Sequence, residues 1–555
     1  MTYPYENLEN FTLPAFLNRS VDMFKTRDAF CDASHKCMSY ETFGQKVEDM
    51  VKLLQANGIE KGDKVVLLSE NMPNWAVAYF GVTYFGAVIV PVLPDFHIAD
   101  AHHIIRHSEA KAAFVSDKYL STIEEANDHN LKFAVKLDDL SLINELNNHS
   151  LGSKIAQKMP SFKDNAVKED DMAALLYTSG TTGHSKGVML SHKNLVTNAL
   201  SAYEKVHINE YDVFLSILPL AHTLECTVGL LIPILHGSSV AYMDKTPTPS
   251  VLLKAFAVVK PTMMVSVPLI IEKIYKNKVL PKFTSSFIMR FLYSIAFFRK
   301  IFNKIAGKKL IETFGGRLRF FGIGGASLSP FVEQFLVEAN FPYIIGYGLT
   351  ETSPLIAGSV LGGTIKMKST GTPFSGVEIK IKNKNPETGE GEIMAKSPSV
   401  MLGYYKDEAQ TAQVMEDGWF LTGDLGYMDE DGFLFISGRS KNVIIGSGGE
   451  NIYPEQIEAR INQLELVLDS IVIQRDDGKL IARVHLDYEL IDKMFKANHI
   501  SDAHTREKIT NLLEEMRIDV NSQISSFSRM VKFVEQIEPF IKTPTKKIKR
   551  YLYAS

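Results

Sequence analysis

Through most of the first 360 residues, short β-branched runs alternate with amphipathic stretches of helix length, and this alternation limits the chain to few architectures. Val65-Val66-Leu67-Leu68, Ala113-Phe114-Val115 and Ser239-Val240-Ala241-Tyr242 are strand-like, with helical patterns between them. Strands separated by helices predict βαβ units and mostly parallel sheets. Between Gly371 and Ser437 the pattern becomes closely spaced strands with turns at Pro386-Glu387-Thr388-Gly389, Asp417-Gly418 and Asp431-Gly432, which reads as an antiparallel or barrel-like subdomain. A compact αβ segment follows. The expectation is an α/β protein with a large N-terminal domain over residues 1–438, its barrel-like part at about 371–437, and a small mobile α+β domain over 439–555. The boundary falls at Gly438 to Lys441.

One stretch imitates a membrane span. Trp75 to Pro94 carries no charge, and about 20 apolar residues cross a bilayer. Gly81, Gly86, Pro91 and Pro94 interrupt it, Asn71, Pro73 and Asn74 resemble a helix start, and Val88-Ile89-Val90 is β-branched. A buried helix followed by a buried strand fits better. Apolar residues make up 45% of the 555 and charged residues 22%, so the chain is globular rather than disordered. A net charge of −4 argues against a general nucleic-acid binder. Cys31 and Cys37, with five residues between them, and the remote Cys226 match no zinc spacing and no disulfide framework. A reducing, cytoplasmic setting is expected. The acidic N-terminus lacks the basic region and apolar run of a signal peptide.

The segment richest in chemistry follows the apolar run Ala173-Ala174-Leu175-Leu176 and reads YTSGTTGHSKG from Tyr177 to Gly187. Gly180, Gly183 and Gly187 let backbone amides approach a ligand. Thr178, Ser179, Thr181, Thr182 and Ser185 offer hydroxyls, and Lys186 a positive charge. A strand, a hydroxyl-rich turn and a lysine suit a polyphosphate. Ser185 stands where a Walker A loop needs glycine, so that motif is excluded.

The loop is joined, in order, by LPLAHTLE, GGASL, YGLTETSP, GWFLTGDLG, ISGRSKNVI, SGGENIYPEQIE and TPTKKIKR. With these motifs the chain closely resembles the adenylate-forming superfamily of acyl- and aryl-CoA synthetases, luciferases and peptide-synthetase adenylation domains, over roughly Tyr40 to Arg550. Within it, the chain looks most like the long-chain fatty-acid–CoA ligases. The resemblance implies ATP-dependent activation of a carboxylic acid through an acyl-AMP, then transfer to coenzyme A. The alternatives are an acyl-carrier-protein ligase or fatty-acyl-AMP ligase, and, more remotely, a non-catalytic nucleotide-binding protein with degraded motifs. Lys186, Glu351, Asp424, Arg439 and Lys547 are all present, against the last reading.

By resemblance, Thr178 to Lys186 hold the β- and γ-phosphates, Tyr347 of the Tyr347-Gly348 pair stacks on adenine, Thr350 bonds the α-phosphate, and Glu351 with Thr182 ligates Mg²⁺. Gly325-Ala326-Ser327 lines the adenine pocket. Asp424 accepts the ribose hydroxyls, assisted by Arg439. His222 lies near the incoming carboxylate, with a purely structural histidine as the alternative. Lys441 matches the hinge position, and Gly448 and Gly449 belong to the loop that admits the pantetheine arm. Lys547 matches the adenylation lysine, because Ile548 and Arg550 follow at the expected offsets. Lys546, where the family usually has glycine, is the other candidate, and Asn442 replaces a commoner aspartate.

Between Lys276 and Lys309 there is no acidic residue, while Phe287, Phe291, Ile295, Phe298, Phe302 and Ile305 recur at helical spacing among Arg290, Arg299, Lys300, Lys304, Lys308 and Lys309. A basic amphipathic helix over about 285–309 is thus a candidate for peripheral contact with a membrane's inner face. A core-packed helix with a solvated basic face is the competing reading. It also resembles an insertion of the long-chain enzymes.

Overall fold

Strands buried on both faces carry near-continuous apolar runs, because helices cover them above and below. A computed structural model of the chain describes residues 8–32, 34–144, 166–178, 185–243, 247–446, 450–497, 502–544 and 546–553. Its first large sheet has eight strands in the order Gly403–Tyr404, Lys186–Ser191, Met172–Thr178, Val88–Val92, Lys64–Leu68, Ala112–Val115, Phe133–Lys136 and Leu142–Asn144. The pairs inside it are parallel, and antiparallel strands stand at its ends. A nine-stranded sheet runs Thr372–Pro373, Leu355–Gly358, Tyr343–Gly348, Phe320–Ile323, Met263–Ser266, Val213–Ser216, Ser239–Tyr242, Asp28–Cys31 and Cys37–Ser39. From Tyr343–Gly348 to Asp28–Cys31 its pairs are parallel. The α/β class with mostly parallel sheets is the one the alternation implies.

The uncharged stretch is a helix, Pro73–Phe85, followed by the strand Val88–Val92. Trp75, Val77, Phe80 and Val82 are all fully buried, so the helix is apolar all round because protein surrounds it. Gly86, at φ +87°, ends it in a left-handed turn. Among the described residues no helix is long and apolar enough to cross a membrane.

Two expectations need correction. Cys31 and Cys37 are bonded to each other. They are opposed in the antiparallel pair Asp28–Cys31 and Cys37–Ser39, and strand register, which chain spacing does not reveal, brings the sulfurs together. His35 also sits beside them, but the disulfide occupies both sulfurs. The basic segment, in turn, is two helices, Phe287–Ser294 and Ala296–Thr313, broken at Ile295, whose ψ of 119° is extended.

The chain divides into two units: Met1–Ile379, Ala395–Phe420 and Gly432–Leu434 form one, and Lys380–Met394, Leu421–Asp431 and Phe435–Ser555 the other. Residues 371–437 hold short strands and the helix Glu408–Val414; Thr372–Pro373 and Gly403–Tyr404 belong to the two large sheets, and the turn at Asp431-Gly432, with Gly432 at φ +79°, joins the strands Trp419–Met428 and Leu434–Arg439. The second unit also holds the three-stranded sheet Val467–Gln474, Leu480–Leu486 and Met530–Glu535, packed on the helices Pro454–Ile461 and Asp502–Ser522. Ile457, Ile461, Val472, Val484 and Val520 form its core.

Candidate nucleotide and carboxylate site

In an open parallel sheet, loops leaving the carboxyl ends of neighbouring strands converge beyond one edge. Val213–Ser216 leads to His222, Phe320–Ile323 to Gly325-Ala326-Ser327, and Tyr343–Gly348 to Thr350 and Glu351. With Met263–Ser266 between the first two, these are consecutive parallel strands. The topology therefore gathers three of the motifs.

Thr178 and Lys186 stand opposite each other in the antiparallel pair Met172–Thr178 and Lys186–Ser191. Both ends of the loop are thus held, while Ser179, Gly180, Thr181, Thr182 and Gly183 lie outside the described residues. Lys186 Nζ donates to Gln410 Oε1 at 2.7 Å and stands 5.2 Å from the centre of the Tyr404 ring. The Tyr404 hydroxyl donates to Glu351 Oε1 at 2.9 Å. One phenol thus joins the loop lysine to the acid of YGLTETSP, and burial together with the Glu351 carboxylate raises its pKa, so it remains a donor. Ser185 Oγ is buried without a partner among the described residues. An orphaned hydroxyl beside an ammonium is a donor set that fits a phosphate oxygen.

Thr350 and Glu351 lie on the single turn Thr350–Thr352. The approach of chain to chain here requires glycine: a methyl on Gly348 would fall 1.7 Å from the Pro354 carbonyl oxygen. Thr223 Oγ1 donates to Thr350 Oγ1 at 3.1 Å, which brings LPLAHTLE against the same turn. His222 caps the short helix Thr223–Cys226, its Nδ1 accepting the Leu224 amide at 3.3 Å. Asn71 fixes the approach to that helix. Its Nδ2 donates to Ser216 Oγ at 2.9 Å and to the Leu218 carbonyl at 2.7 Å, and its Oδ1 accepts the Leu220 amide. Ser216 Oγ donates to Glu225 Oε1 at 2.6 Å, and burial pushes the Glu225 carboxyl up to about 8.

Gly325, Ala326 and Ser327 are exposed, and Gly325 has φ +83°. A methyl on neighbouring Gly324 would lie 3.1 Å from Leu224 Cδ2 and 3.5 Å from the Gly346 carbonyl oxygen. Gly324, which leads into the small-residue segment, therefore packs against Leu224 of LPLAHTLE and against the strand of half-buried Tyr347.

In the second unit, Asp424 is buried and takes Arg439 Nε on Oδ1 at 3.1 Å. Lys441 is exposed on the turn Ser440–Asn442, where Asn442 Nδ2 donates to Glu455 Oε1. Gly448 and Gly449 lie outside the described residues. Lys547 is exposed on a tight turn: the Thr543 amide donates to its carbonyl at 2.7 Å, and its own amide donates to Thr543 Oγ1 at 3.1 Å. Lys546 adopts φ +63°, the left-handed conformation that glycine takes most readily. Arg550, three residues after Lys547, grips both oxygens of Glu458 at 2.7 and 2.9 Å and so anchors the turn.

Sequence reasoning missed Tyr404, Gln410, Thr223 and Asn71. Thr223 sits inside a quoted motif. Tyr404 reaches the site because its strand pairs with Lys186–Ser191, setting it opposite Val188, and nothing local in the sequence announces a long-range antiparallel pair.

A profile of the family described as AMP-binding enzyme matches residues 17–405. Similar curated proteins include a peroxisomal long chain acyl-CoA synthetase of Arabidopsis thaliana, 28% identical over 92% of this chain and 79% of its own. The long-chain-fatty-acid–CoA ligase of Bacillus subtilis is 29% identical over 84% and 83%. A chloroplastic long-chain-fatty-acid–[acyl-carrier-protein] ligase of Arabidopsis thaliana is 27% identical over 97% and 84%. The fold matches that of an anthranilate CoA ligase in complex with anthranoyl-AMP, at TM-score 0.78 and 20% identity over 98% of this chain and 96% of that one.

Proposed function

Because the chain belongs to the AMP-binding enzyme family, we propose that it activates a long-chain fatty acid with ATP and passes the acyl group to coenzyme A. A carboxylate is a poor electrophile because its leaving group would be oxide. In the first step its oxygen attacks the α-phosphorus of ATP, the bond to the bridging oxygen breaks, and pyrophosphate leaves. In the second, the thiolate of coenzyme A attacks the acyl carbon and AMP leaves with the electron pair of its bond to that carbon. Such chemistry needs positioned cations and donors more than a protein nucleophile.

The observation that carries this reading is the joining of Lys186 to Glu351 through Tyr404, with Thr350 and Thr223 hydrogen-bonded beside it. Lys186 and the hydroxyls of Thr178 and Ser185 bind and orient the outer phosphates, and Thr350 donates to the α-phosphate. Tyr347 and Gly325-Ala326-Ser327 receive the adenine. His222, at the end of the Asn71-clamped segment, faces the acid. Glu351, with Thr182, would hold Mg²⁺, which when bound would neutralise charge on the phosphates. Asp424 and Arg439 hold the ribose. Lys547 bridges the attacking carboxylate and the α-phosphate, and the segment from 439 onward, a lid hinged at Lys441, then turns to present Gly448 and Gly449 to the thiol. This is domain use in which one site serves two half-reactions.

The long chain of the acid and the choice of thiol rest on the curated relatives, one of which is named for acyl-carrier protein instead. Pyrophosphate release measured over fatty and aryl acids, with coenzyme A, with acyl-carrier protein and with neither, tests both points. Acyl-CoA from long-chain fatty acids is the expected product. Turnover confined to aryl acids overturns the substrate reading, and thioester formed only on carrier protein overturns the acceptor.

A further inference from the structure

The helices Phe287–Ser294 and Ala296–Thr313 reverse the usual order of burial. Phe287 is 84% exposed, Ile288 70%, Phe291 60% and Phe297 67%, with Ile301 and Ile305 exposed beyond them. The inward side is held by polar bonds. The Tyr293 hydroxyl donates to Asn303 Oδ1 at 2.9 Å, buried Asn303 donates to Glu338 at 2.7 Å, and Arg299 grips both Glu338 oxygens. Phe283 stacks between Tyr293 and Phe302, with ring centres 5.0 and 5.6 Å away. The segment is therefore anchored with these apolar side chains outward, and so many large apolar residues exposed along one short segment mark an interaction surface.

Charge identifies what covers it. Lys282, Arg290, Lys300, Lys304, Lys308 and Lys309 are exposed along the same two helices and the short helix Leu280–Thr284 before them, and no acid occurs from Lys276 to Lys309 in a chain whose net charge is −4. A second copy docking this face on itself would set one cationic rim against another, since a two-fold contact pairs a patch with its own copy. A neutral apolar partner would leave the cations without a role. We propose that this helical pair docks on an anionic lipid bilayer, its phenylalanines and isoleucines entering the interface while its lysines and arginines meet lipid phosphates. The inference stands apart from the reading of the adenylation site, and each is measured without the other.

The test is flotation of the full chain with vesicles of phosphatidylcholine alone or with 30 mole per cent phosphatidylglycerol (about a third of the lipid, enough for a strongly negative surface). The wild type floats with the anionic vesicles, and raised salt weakens the association. The double variant Lys300→Gln, Lys304→Gln partitions on the order of thirtyfold less, about fivefold for each cation removed. The variant Phe287→Glu, Phe291→Glu, altered only at exposed positions, loses flotation while its acid-dependent pyrophosphate exchange in vesicle-free buffer is unchanged. A wild type that stays unbound at low salt overturns the proposal, as does flotation indifferent to both variants. A concentration-dependent dimer dissolved by Phe287→Glu, Phe291→Glu would make the partner a second copy and equally refute it.

Discussion

Lys546 and Lys547 are adjacent, identical in chemistry and distinguished by backbone alone. Lys546 sits at φ +63°, where an L residue carries roughly 1–2 kcal/mol of strain that glycine lacks. Lys546→Gly should leave stability within about 1 kcal/mol of wild type, since relief of strain is partly offset by the freer unfolded chain, and should keep adenylation. Lys547→Ala should cut pyrophosphate exchange on the order of a hundredfold or more while sparing thioester formation from supplied acyl-adenylate. Equal loss of both half-reactions would contradict the role given to Lys547. At Tyr404 the hydroxyl is a charge-assisted donor to Glu351, a bond worth about 1.5–3 kcal/mol. Tyr404→Phe should therefore slow adenylation about tenfold or more and raise the magnesium concentration needed for half-maximal rate, with the ring still supporting Lys186. An unaltered magnesium titration would remove Tyr404 from the site.

The segment from Ser216 to the helix Thr223–Cys226 is held by buried polar groups rather than by its own length. Burial raises the Glu225 carboxyl from 4.5 to about 8, so between those values the folded chain keeps a proton that the unfolded chain releases. The associated stability is complete below pH 4.5 and is lost as pH rises towards 8. Glu225→Gln, which keeps an acceptor for Ser216, should flatten that part of the thermal-melting profile between pH 5 and 8 (about the range in which the two carboxyl states differ). A variant with the wild-type slope would show that Glu225 is ionised when folded. On the neighbouring turn, Gly348→Ala forces a methyl to within 1.7 Å of the Pro354 oxygen. Denaturant melts should find it destabilised by about 3 kcal/mol or more, and a normal midpoint would mean that the turn yields.

Across the whole molecule, what the sequence made legible followed from periodicity and ordered motifs. The alternating runs announced parallel sheets, and Gly86 and the β-branched Val88-Ile89-Val90 separated a helix from a strand; three of the ordered motifs lie on loops leaving strand ends. Register was hidden. The Cys31–Cys37 bond and the approach of Tyr404 to Lys186 both depend on which residue faces which across antiparallel strands, a long-range matter that local spacing does not encode. The break at Ile295 was hidden too, because no glycine or proline marks it and the helical apolar spacing continues through it.

Acid-dependent exchange of labelled pyrophosphate into ATP measures that step without requiring coenzyme A. The account predicts exchange that depends on a long-chain fatty acid and Mg²⁺, with AMP as the nucleotide product when coenzyme A is added. Release of ADP, or no exchange with any acid, would contradict it.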